Sequence, residues 1–461
     1  MSTGTLETDR RGQPPVPSAT DSVRRSSKLG RLLPREKSTA LGIVATVAVV
    51  VQGFLVFMFL FEPGLPYVVP ETPTAPLESD EFLRMLENIS NSRVHSMNGV
   101  EVLTNGEMFY ESELAAIRAA RHSINLEAYI FSVGKVTEQF LDALIERARA
   151  GIHVKLVVDA IGSFATPDSY FKRLRDEGGR VVWYHPVFWH TVGRFNNRTH
   201  RELLIVDGNI GFAGGAGFAD HWLHSNRGTP RWRDTMVRVE GAAVSGLQST
   251  FAENWLEASG EILSRTDYFP ASEARGQSPV MITDSSPSAG RSTSARALYQ
   301  VLLASARKTI HITTPYFLPD QSMREEIIRA IQDRGVEVKI ITPGKKSDHR
   351  VTRSSSRRLY GELLEGGARI YEYGGTMIHT KSLVIDGLWS VVGSTNMDSR
   401  SFGLNDEVNL AIMDAGVAAR LLEDFTRDLG QSRSISYEEW RQRPILERFE
   451  ESFGWLIERQ Q

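Results

Sequence analysis

Cysteine is absent from this 461-residue chain. The absence excludes disulfide bonds, thiol nucleophiles, zinc–thiolate sites and iron–sulfur clusters, although it does not indicate a cellular compartment. An excess of one charge is also lacking, because 53 Lys and Arg residues are balanced by 56 Asp and Glu residues. The small net charge of −3 argues against a protein that coats nucleic acid over its whole surface. With 41% hydrophobic and 24% charged residues, the composition is typical of a folded protein.

Charged side chains are missing from residues 40–61. A helix of this length spans roughly 33 Å and covers a bilayer core of about 30 Å. We therefore expect a transmembrane helix over residues 39–61, after a disordered basic tail over residues 1–38. Because basic residues precede the apolar run and acidic residues follow it, the positive-inside rule predicts a cytoplasmic N-terminus and an extracytoplasmic body. A Pro-rich linker over residues 62–95 is expected, with residues 63–76 as a stiff spacer.

The body of the chain contains an internal repeat. Three blocks recur in the same order at similar spacing, which indicates two copies of one unit. The first copy is expected over residues 96–267 and the second over residues 292–435, with a joint at 268–291 and a C-terminal amphipathic helix at 436–461. The matched blocks are residues 124–131 with 310–317, residues 151–156 with 335–340, and His200 and Asp207 with His379 and Asp386.

Within each copy, short β-rich runs alternate with stretches of helical period. The helical stretches at residues 141–148 and 323–331 are each followed by a glycine and a strand. This alternation predicts an α/β fold in which each copy has a central β-sheet flanked by helices, and we expect the sheet to be largely parallel.

The second copy carries a chemically suggestive motif over residues 379–386. Residues two apart on a strand share a face, so His379 and Lys381 point into one space. Such a pair suits a phosphodiester, because lysine binds the non-bridging oxygens while imidazole attacks phosphorus or protonates the leaving oxygen. The turn at residues 393–396 offers amides and an Asn side chain to the same phosphate. Glu407 is expected to accept the other proton of this imidazole.

The paired motifs resemble the phospholipase D superfamily. The blocks at residues 314–320, 379–386 and 393–402 look most like those of bacterial cardiolipin synthases, and the resemblance covers residues 96–435. It implies a pseudo-twofold enzyme with one site between the copies, in which one histidine becomes a covalent phosphohistidine. It also implies that neither a metal nor another cofactor is required.

The resemblance further assigns roles to residues of this chain. His200 corresponds to the nucleophile and His379 to the general acid–base. Lys381, Asn396 and Ser394 correspond to ligands of the phosphate, and Asp234 and Glu407 correspond to the carboxylates that orient the histidines. Asp207 and Asp386 close the two motifs, and we expect them to anchor the structure rather than to react.

The first copy departs from the pattern, because Glu202 stands at the phosphate-binding position where the family has lysine, and glycine follows where Asn is frequent. Losing a charge-assisted bond to phosphate costs about 1.5–3 kcal/mol. Arg198 is the candidate to compensate, whereas Arg201 should face the opposite way. A slower enzyme, a site adapted to another head group and a half-degenerate protein remain open, and Glu202→Lys is expected to preserve or raise diesterase activity.

We therefore expect a membrane-anchored phosphatidyltransferase in the bacterial plasma membrane, acting on anionic phospholipids such as phosphatidylglycerol and not on nucleic acid. A hydrolytic phospholipase D, a nuclease and a catalytically weak lipid-binding protein are the alternatives. Four arginines at helical spacing form either a solvated helix face or a contact for anionic lipid head groups: Arg350, Arg353, Arg357 and Arg358.

Overall fold

The computed structural model describes residues 42–54, 66–187, 196–225, 228, 230–285, 293–444 and 447–448. The chain divides into two units, Met1–Glu62 and Pro63–Gln461. In the first unit, residues 42–54 form helix α1, whose side chains are exposed. Among the described residues, no helix is both long and apolar enough to cross a membrane. The predicted tail and the rest of the predicted transmembrane segment lie outside the described residues.

The second unit alternates strands and helices, as the sequence predicts. The strands are β1 (Val94–Thr104), β2 (Ser123–Ala128), β3 (His153–Asp159), β4 (Arg180–Tyr184), β5 (Leu203–Val206), β6 (Ile210–Gly214), β7 (Thr235–Glu240), β8 (Ser278–Ser285), β9 (Thr309–Thr313), β10 (Glu337–Pro343), β11 (Arg369–Tyr373), β12 (Ser382–Ile385), β13 (Trp389–Gly393), β14 (Glu407–Met413) and β15 (Ser432–Ile435). The helices are α2 (Asp80–Ser90), α3 (Asn105–Ala119), α4 (Lys135–Arg149), α5 (Lys172–Asp176), α6 (Val244–Ser259), α7 (Ser294–Ser305), α8 (Gln321–Arg334), α9 (Arg350–Glu365), α10 (Ser399–Gly403), α11 (Ala415–Leu429) and α12 (Tyr437–Arg441).

The strands form one 15-stranded mixed sheet in the order β15-β11-β10-β9-β12-β13-β14-β8-β1-β7-β6-β5-β2-β3-β4. Read outward from the β8–β1 pair at the centre, both halves repeat the same order over seven strands each, and β15 is added at the edge of the second half. The α/β class is therefore confirmed, and each half of the chain contributes an equivalent set of strands.

The expectation of a largely parallel sheet is wrong. In the first half only the β2–β3 and β3–β4 pairs are parallel, whereas β5, β6, β7 and β1 pair in antiparallel fashion. The reason lies in the connections. A turn of three residues joins β5 to β6, which is too short for the crossover that parallel neighbours need.

The core lies on both faces of the sheet. Helices α3 and α4 cover one face of the first half, and α7 and α8 cover the equivalent face of the second half. A third apolar cluster joins strands of both halves to α6 and α11, and strands β6 and β7 contact β13 and β14. The two halves therefore share a buried seam, and the ends of their motif strands meet there.

The segment over residues 66–79, here called the strap, lies against the second half rather than standing away from it. The amide of Tyr67 donates to Ser322 Oγ at 3.2 Å, and buried Trp389 donates from Nε1 to the carbonyl oxygen of Leu77 at 2.9 Å. The expected stiff spacer is thus wrong for residues 66–76, because side chains of the body satisfy backbone groups of this segment.

The segment predicted as a joint contains strand β8, which pairs with both β1 and β14. Residues 286–291 of that segment lie outside the described residues, as do 445–446 and 449–461 of the predicted C-terminal helix. The boundaries of the two repeats, the joint and the C-terminal helix stay predictions.

Candidate active site

His200 of the first half is held by a carboxylate of the second half. Its Nδ1 lies 3.0 Å from Glu407 Oε2, and its backbone amide donates to the carbonyl oxygen of Asp406 at 2.9 Å. Glu407 is fully buried, and Ser394 Oγ donates to the same carboxylate oxygen at 2.5 Å. With Nδ1 engaged in this way, Nε2 of His200 is the ring nitrogen left to react.

His379 of the second half is held by a carboxylate of the first half. Its Nδ1 lies 2.9 Å from Oδ2 of buried Asp234, and its amide donates to the carbonyl oxygen of Arg233 at 2.7 Å. Trp222 Nε1 donates to the same Oδ2 at 3.0 Å. Asp234 is therefore fixed from two sides, and it fixes the imidazole in turn.

The two halves thus exchange carboxylates across the seam. The sequence interpretation that Glu407 accepts a proton from His379 is wrong, because Glu407 binds His200 and Asp234 binds His379. The exchange follows from the backbone, since short parallel bridges connect Thr199 to Asp406 and Arg233 to Ile378. Thr199 and Ile378 directly precede the two histidines, and Asp406 and Arg233 directly precede the two carboxylates. Each bridge therefore brings a histidine next to the carboxylate of the other half.

Lys381 connects the two histidine sites. Its Nζ lies 3.0 Å from Nε2 of His379 and donates to the carbonyl oxygen of that residue at 3.0 Å. The lysine is buried, and it interacts electrostatically with both Asp234 and Glu407. Lys381 therefore contacts the His379 imidazole and interacts electrostatically with the carboxylate that binds each histidine.

Burial shifts the protonation of these groups. Burial, with the Lys381 charge next, lowers the pKa of His379 below its usual 6.5 despite the opposing bond to Asp234. Burial also lowers the pKa of Lys381. Burial opposes ionisation of Asp234, but the bond to His379 and the charges of His379 and Lys381 keep its pKa below the usual value. The site therefore holds an ionised Asp234 beside an imidazole that readily gives up its proton.

The turn after β13 lies at the same seam. Asn396 is buried with no hydrogen-bond partner for its side-chain oxygen. Ser394, which the sequence assigns to phosphate, accepts a bond from the amide of Val408 in addition to donating to Glu407. Its hydroxyl is thus engaged with the carboxylate that orients His200.

The closing aspartates lie away from the histidines. Asp207 accepts from the amides of residues 121–123 at the start of β2, and Asp386 accepts from the amides of residues 307–309 at the start of β9. Asp386 follows the end of β12 opposite to Lys381. Both residues therefore anchor strands, and the structure does not bring them to the reacting groups.

The arginines near His200 do not fill the position of a phosphate ligand. Arg198 is buried, with Nη1 3.6 Å from Asp159 and Nη2 donating to the carbonyl oxygen of His185. Arg201 points the opposite way, as expected, and its Nη2 lies 2.8 Å from Glu253. The suggested compensation by Arg198 therefore lacks support.

Three aromatic residues at the site escaped the sequence analysis. The ring of Tyr129 lies edge-on to His200 with centroids 5.1 Å apart, while Trp222 and Trp232 lie 5.7 and 5.5 Å from the ring of His379. Trp232 precedes Asp234 by two residues, and Tyr129 falls in a matched block of the repeat. These positions were visible in the sequence, but nothing in the local pattern separated them from core aromatics.

The arginine cluster on α9 serves partly to bind the body. Arg353 Nη2 lies 3.0 Å from Glu372, and buried Arg357 pairs with the same carboxylate. At least two of the four arginines are thus engaged in internal ion pairs, which reduces the charge that this helix face presents to solvent.

Known proteins match this chain over both halves. The sequence model of the family described as "Cardiolipin synthase, PLD-like domain" matches residues 114–255 and 299–429, one segment in each half. Cardiolipin synthase of Geobacillus kaustophilus is 34% identical over 403 residues, which cover 86% of this chain and 79% of the relative. The major cardiolipin synthase of Bacillus subtilis is 33% identical over 386 residues, which cover 83% of this chain and 80% of the relative.

Among solved structures, phosphatidylserine synthase of Haemophilus influenzae superposes with a TM-score of 0.65 over 83% of this chain and 100% of that protein. At 16% identity this likeness concerns the fold alone. Together with the duplicated sheet and the paired histidine motifs, the sequence matches identify the chain as a member of the cardiolipin synthase family and a phosphatidyltransferase of the phospholipase D type.

Proposed function

We propose that the enzyme moves a phosphatidyl group from one phosphatidylglycerol to the hydroxyl of a second, giving cardiolipin and glycerol. The observation that carries the proposal is the exchange of carboxylates, because it binds the histidine of each half to a buried carboxylate of the other half, and Lys381 interacts electrostatically with both carboxylates. Such a site suits a phosphodiester monoanion, and the family relationship indicates a phospholipid as its source.

In the first step, Nε2 of His200 attacks phosphorus while glycerol departs with a proton from His379. The bond from phosphorus to the glycerol oxygen breaks as the bond to the nitrogen forms. Lys381 and Asn396 hold the non-bridging oxygens during this step. Glu407 stabilises the positive charge that develops on His200, because its carboxylate lies 3.0 Å from Nδ1.

In the second step, the same groups act in reverse order. His379 takes the proton of the incoming alcohol, whose oxygen attacks phosphorus and displaces His200. His379 suits this role because burial and Lys381 lower its pKa, so that its neutral form is available as a base. In the next catalytic cycle, the phosphate anion bound beside His379 favours the protonated imidazole, which the first step requires.

Water as the acceptor would make the enzyme a hydrolytic phospholipase D with the same first step. The aromatic rings of Trp222 and Trp232 beside His379 favour the lipid alcohol, because they present apolar surface where the acceptor is activated. A catalytically weakened lipid-binding protein is disfavoured, since both imidazole–carboxylate pairs and Lys381 are in place.

We also propose that the apolar run at residues 39–61 anchors the enzyme in the bacterial plasma membrane, with its N-terminus in the cytoplasm and the body outside. The proposal is supported by the length of the uncharged run and by the basic residues before it. A cysteine introduced at exposed Val68, just after the run, would react with an impermeant maleimide in intact cells if this orientation holds, and only after lysis if it is reversed.

The function is tested with the detergent-solubilised full chain and phosphatidylglycerol as sole lipid. We expect cardiolipin and glycerol in equal amounts, with His200→Asn as the inactive control. Phosphatidic acid as the main product would establish the hydrolase. Binding of phosphatidylglycerol vesicles without turnover would establish the weakened lipid-binding protein.

A further inference from the structure

The two departures of the first half, Glu202 and Gly217, meet in space. A Cβ atom added to Gly217 would lie 2.7 Å from Glu202 Oε1 and 2.8 Å from the carbonyl oxygen of Ile130. Both distances are shorter than real contacts of a Cβ atom, so a side chain at position 217 does not fit beside Glu202. The glutamate and the glycine are therefore one linked change rather than two independent losses.

The second half shows what this linked change replaces. The isolated bridges pair Phe131 with Phe218 and Phe317 with Met397, so Gly217 is the counterpart of Asn396. Glu202 is likewise the counterpart of Lys381, because each lies two residues after its histidine. Where the second half places a lysine and an asparagine, the first half places a carboxyl group in the space that a side chain at 217 would take.

Glu202 is tied to the protein rather than directed at a ligand. It is 3% exposed, and its Oε1 accepts from the amide of Ile130 at 3.2 Å. Within the described part of the chain, no Lys or Arg forms a salt bridge with Glu202, and the backbone amides of Ile130 and Tyr129 both favour its ionised form. Burial raises its pKa well above the usual value, against the bond from Ile130 and the charge of Lys381. Burial thus favours the protonated carboxyl, which is similar in shape and polarity to an amide.

The turn formed by Tyr129 and Ile130, which Glu202 binds through the Ile130 amide, also contacts His200. The carbonyl of Ile130 accepts from the amide of Phe218 at 2.7 Å, which ties the turn to the loop after β6. The preceding residue is Tyr129, whose ring lies edge-on to His200 at 5.1 Å. Holding Ile130 therefore holds Tyr129 against the imidazole that attacks phosphorus.

We propose that Glu202, in the space opened by Gly217, is a positioning residue that fixes the Tyr129–Ile130 turn beside His200 and is not a phosphate ligand. The substrate phosphate is then bound by Lys381 and Asn396 of the second half alone. The catalytic part of this inference rests on the proposed function.

The inference reverses the sequence expectation that Glu202→Lys preserves or raises activity. A lysine at this position would lose the bond to the Ile130 amide and would bring a second buried cation toward Lys381. Displacing the groups around a nucleophile by about an ångström can cost roughly a hundredfold in rate. We therefore expect Glu202→Lys to lower kcat by at least about tenfold, without a lower KM for phosphatidylglycerol.

Glu202→Gln is the conservative variant, because an amide keeps the acceptor for Ile130 and carries no charge. We expect its kcat and KM to lie within about threefold of the parent enzyme and the pH profile of kcat/KM to be unchanged. Loss of a limb of the pH profile in Glu202→Gln would overturn the inference, since an ionised carboxylate would then take part in the chemistry. A higher kcat or lower KM in Glu202→Lys would overturn it equally, since a lysine there would then bind phosphate.

A double-mutant cycle with Tyr129 tests whether Glu202 acts through the turn. We expect Glu202→Ala and Tyr129→Ala each to lower kcat, and the double variant to lose little more than the worse single variant. Fully additive losses would show that Glu202 does not act through Tyr129. Hydrogen exchange at the Ile130 amide gives a readout without substrate, because it should quicken in Glu202→Ala and stay slow in Glu202→Gln. Failure of the proposed function would leave the parent enzyme without cardiolipin as a product, whereas failure of this inference would leave Ile130 exchange unchanged in Glu202→Ala.

Discussion

The two halves of this enzyme share a strand order but differ at the groups around their histidines. In the second half, Lys381 and Asn396 accompany His379, whereas in the first half Glu202 and Gly217 accompany His200. The seam therefore has one buried lysine on the second-half side and a buried carboxyl group on the other. The comparison indicates that a duplicated fold keeps its scaffold while its two copies take different tasks.

The difference also matches the charge of the substrate. A phosphodiester carries a single negative charge, and one lysine balances it without leaving a second buried cation unpaired. Each half still supplies one histidine and one carboxylate that binds a histidine. In the proposed mechanism, the asymmetry therefore concerns phosphate binding and leaves both imidazole–carboxylate pairs intact. The following experiments break or sharpen this comparison, in order of expected effect.

The histidines should be equally indispensable but not equivalent. We expect His200→Asn and His379→Asn each to lower kcat by at least about 10⁴-fold, as for other residues that act as a unit. An activated diester with a nitrophenol leaving group needs no proton, so His379→Asn should still form a labelled phosphohistidine with it, and His200→Asn should not. Labelled His200→Asn protein would reverse the two roles.

The orienting carboxylates should rank next. Asp234→Asn and Glu407→Gln keep the shape but remove the charge that each imidazole contacts, and we expect kcat to fall roughly 10²- to 10⁴-fold. Because the carboxylates cross the seam, Glu407→Gln should slow labelling of His200 by the activated diester, and Asp234→Asn should not. Slower labelling in Asp234→Asn alone would contradict the exchange.

Removal of the lysine should be less severe. We expect Lys381→Met to lower kcat/KM by roughly 10- to 150-fold, since one charge-assisted bond to phosphate is lost. Glu202→Gln is the matched variant in the other half and should change kcat/KM little. An equal loss in both variants would mean that the first half also binds phosphate.

The pH dependence should reveal which histidine donates the proton. Burial and Lys381 hold the pKa of His379 below 6.5, so its protonated fraction falls as pH rises through a value below 6.5. If His379 is the acid of the first step, kcat/KM must fall over the same range. Lys381→Met removes a nearby cation and should move this limb to higher pH. If this limb of the pH profile stays at the same pH in Lys381→Met, the limb belongs to a group other than His379.

The smallest effect should come from the strap, which binds the second half. Trp389→Phe leaves the buried carbonyl of Leu77 without a donor, and we expect the free energy of unfolding to fall by about 1–3 kcal/mol. The control is Trp183→Phe in the first half, where water replaces the bond to exposed Asp168 and the loss should stay below about 1 kcal/mol. Urea denaturation followed by circular dichroism measures both. Equal losses would show that the strap adds nothing to the second half.

The repeat and the reacting groups were predictable because they depend on residue types at fixed spacing. His200, His379, Lys381, Asp234 and Glu407 all lie at the seam. The pairing of each carboxylate was not predictable, because nothing along the chain reveals that Asp406 bridges to Thr199 and Arg233 to Ile378. Such pairings depend on the packing of the two halves.

Strand direction and the strap escaped prediction for other reasons. The β-rich runs show where strands lie, but the direction of neighbours follows from connection lengths, as the short turn between β5 and β6 illustrates. Proline-rich sequence predicts an extended backbone, and residues 66–79 are irregular apart from short turns. Whether such a backbone stands in solvent or binds a surface depends on partners such as Ser322 and Trp389, which are distant in the sequence.

The exchange of carboxylates has a consequence for how such an enzyme can arise. A polypeptide with only one half would carry a histidine without the acid that sets its tautomer. It would form a complete active site only by associating with a second copy, so that the carboxylate of each copy binds the histidine of the other. Fusion of two such copies into one chain preserves the reciprocal arrangement and releases each copy to mutate separately, and the contrast between Lys381 and Glu202 is what that freedom permits.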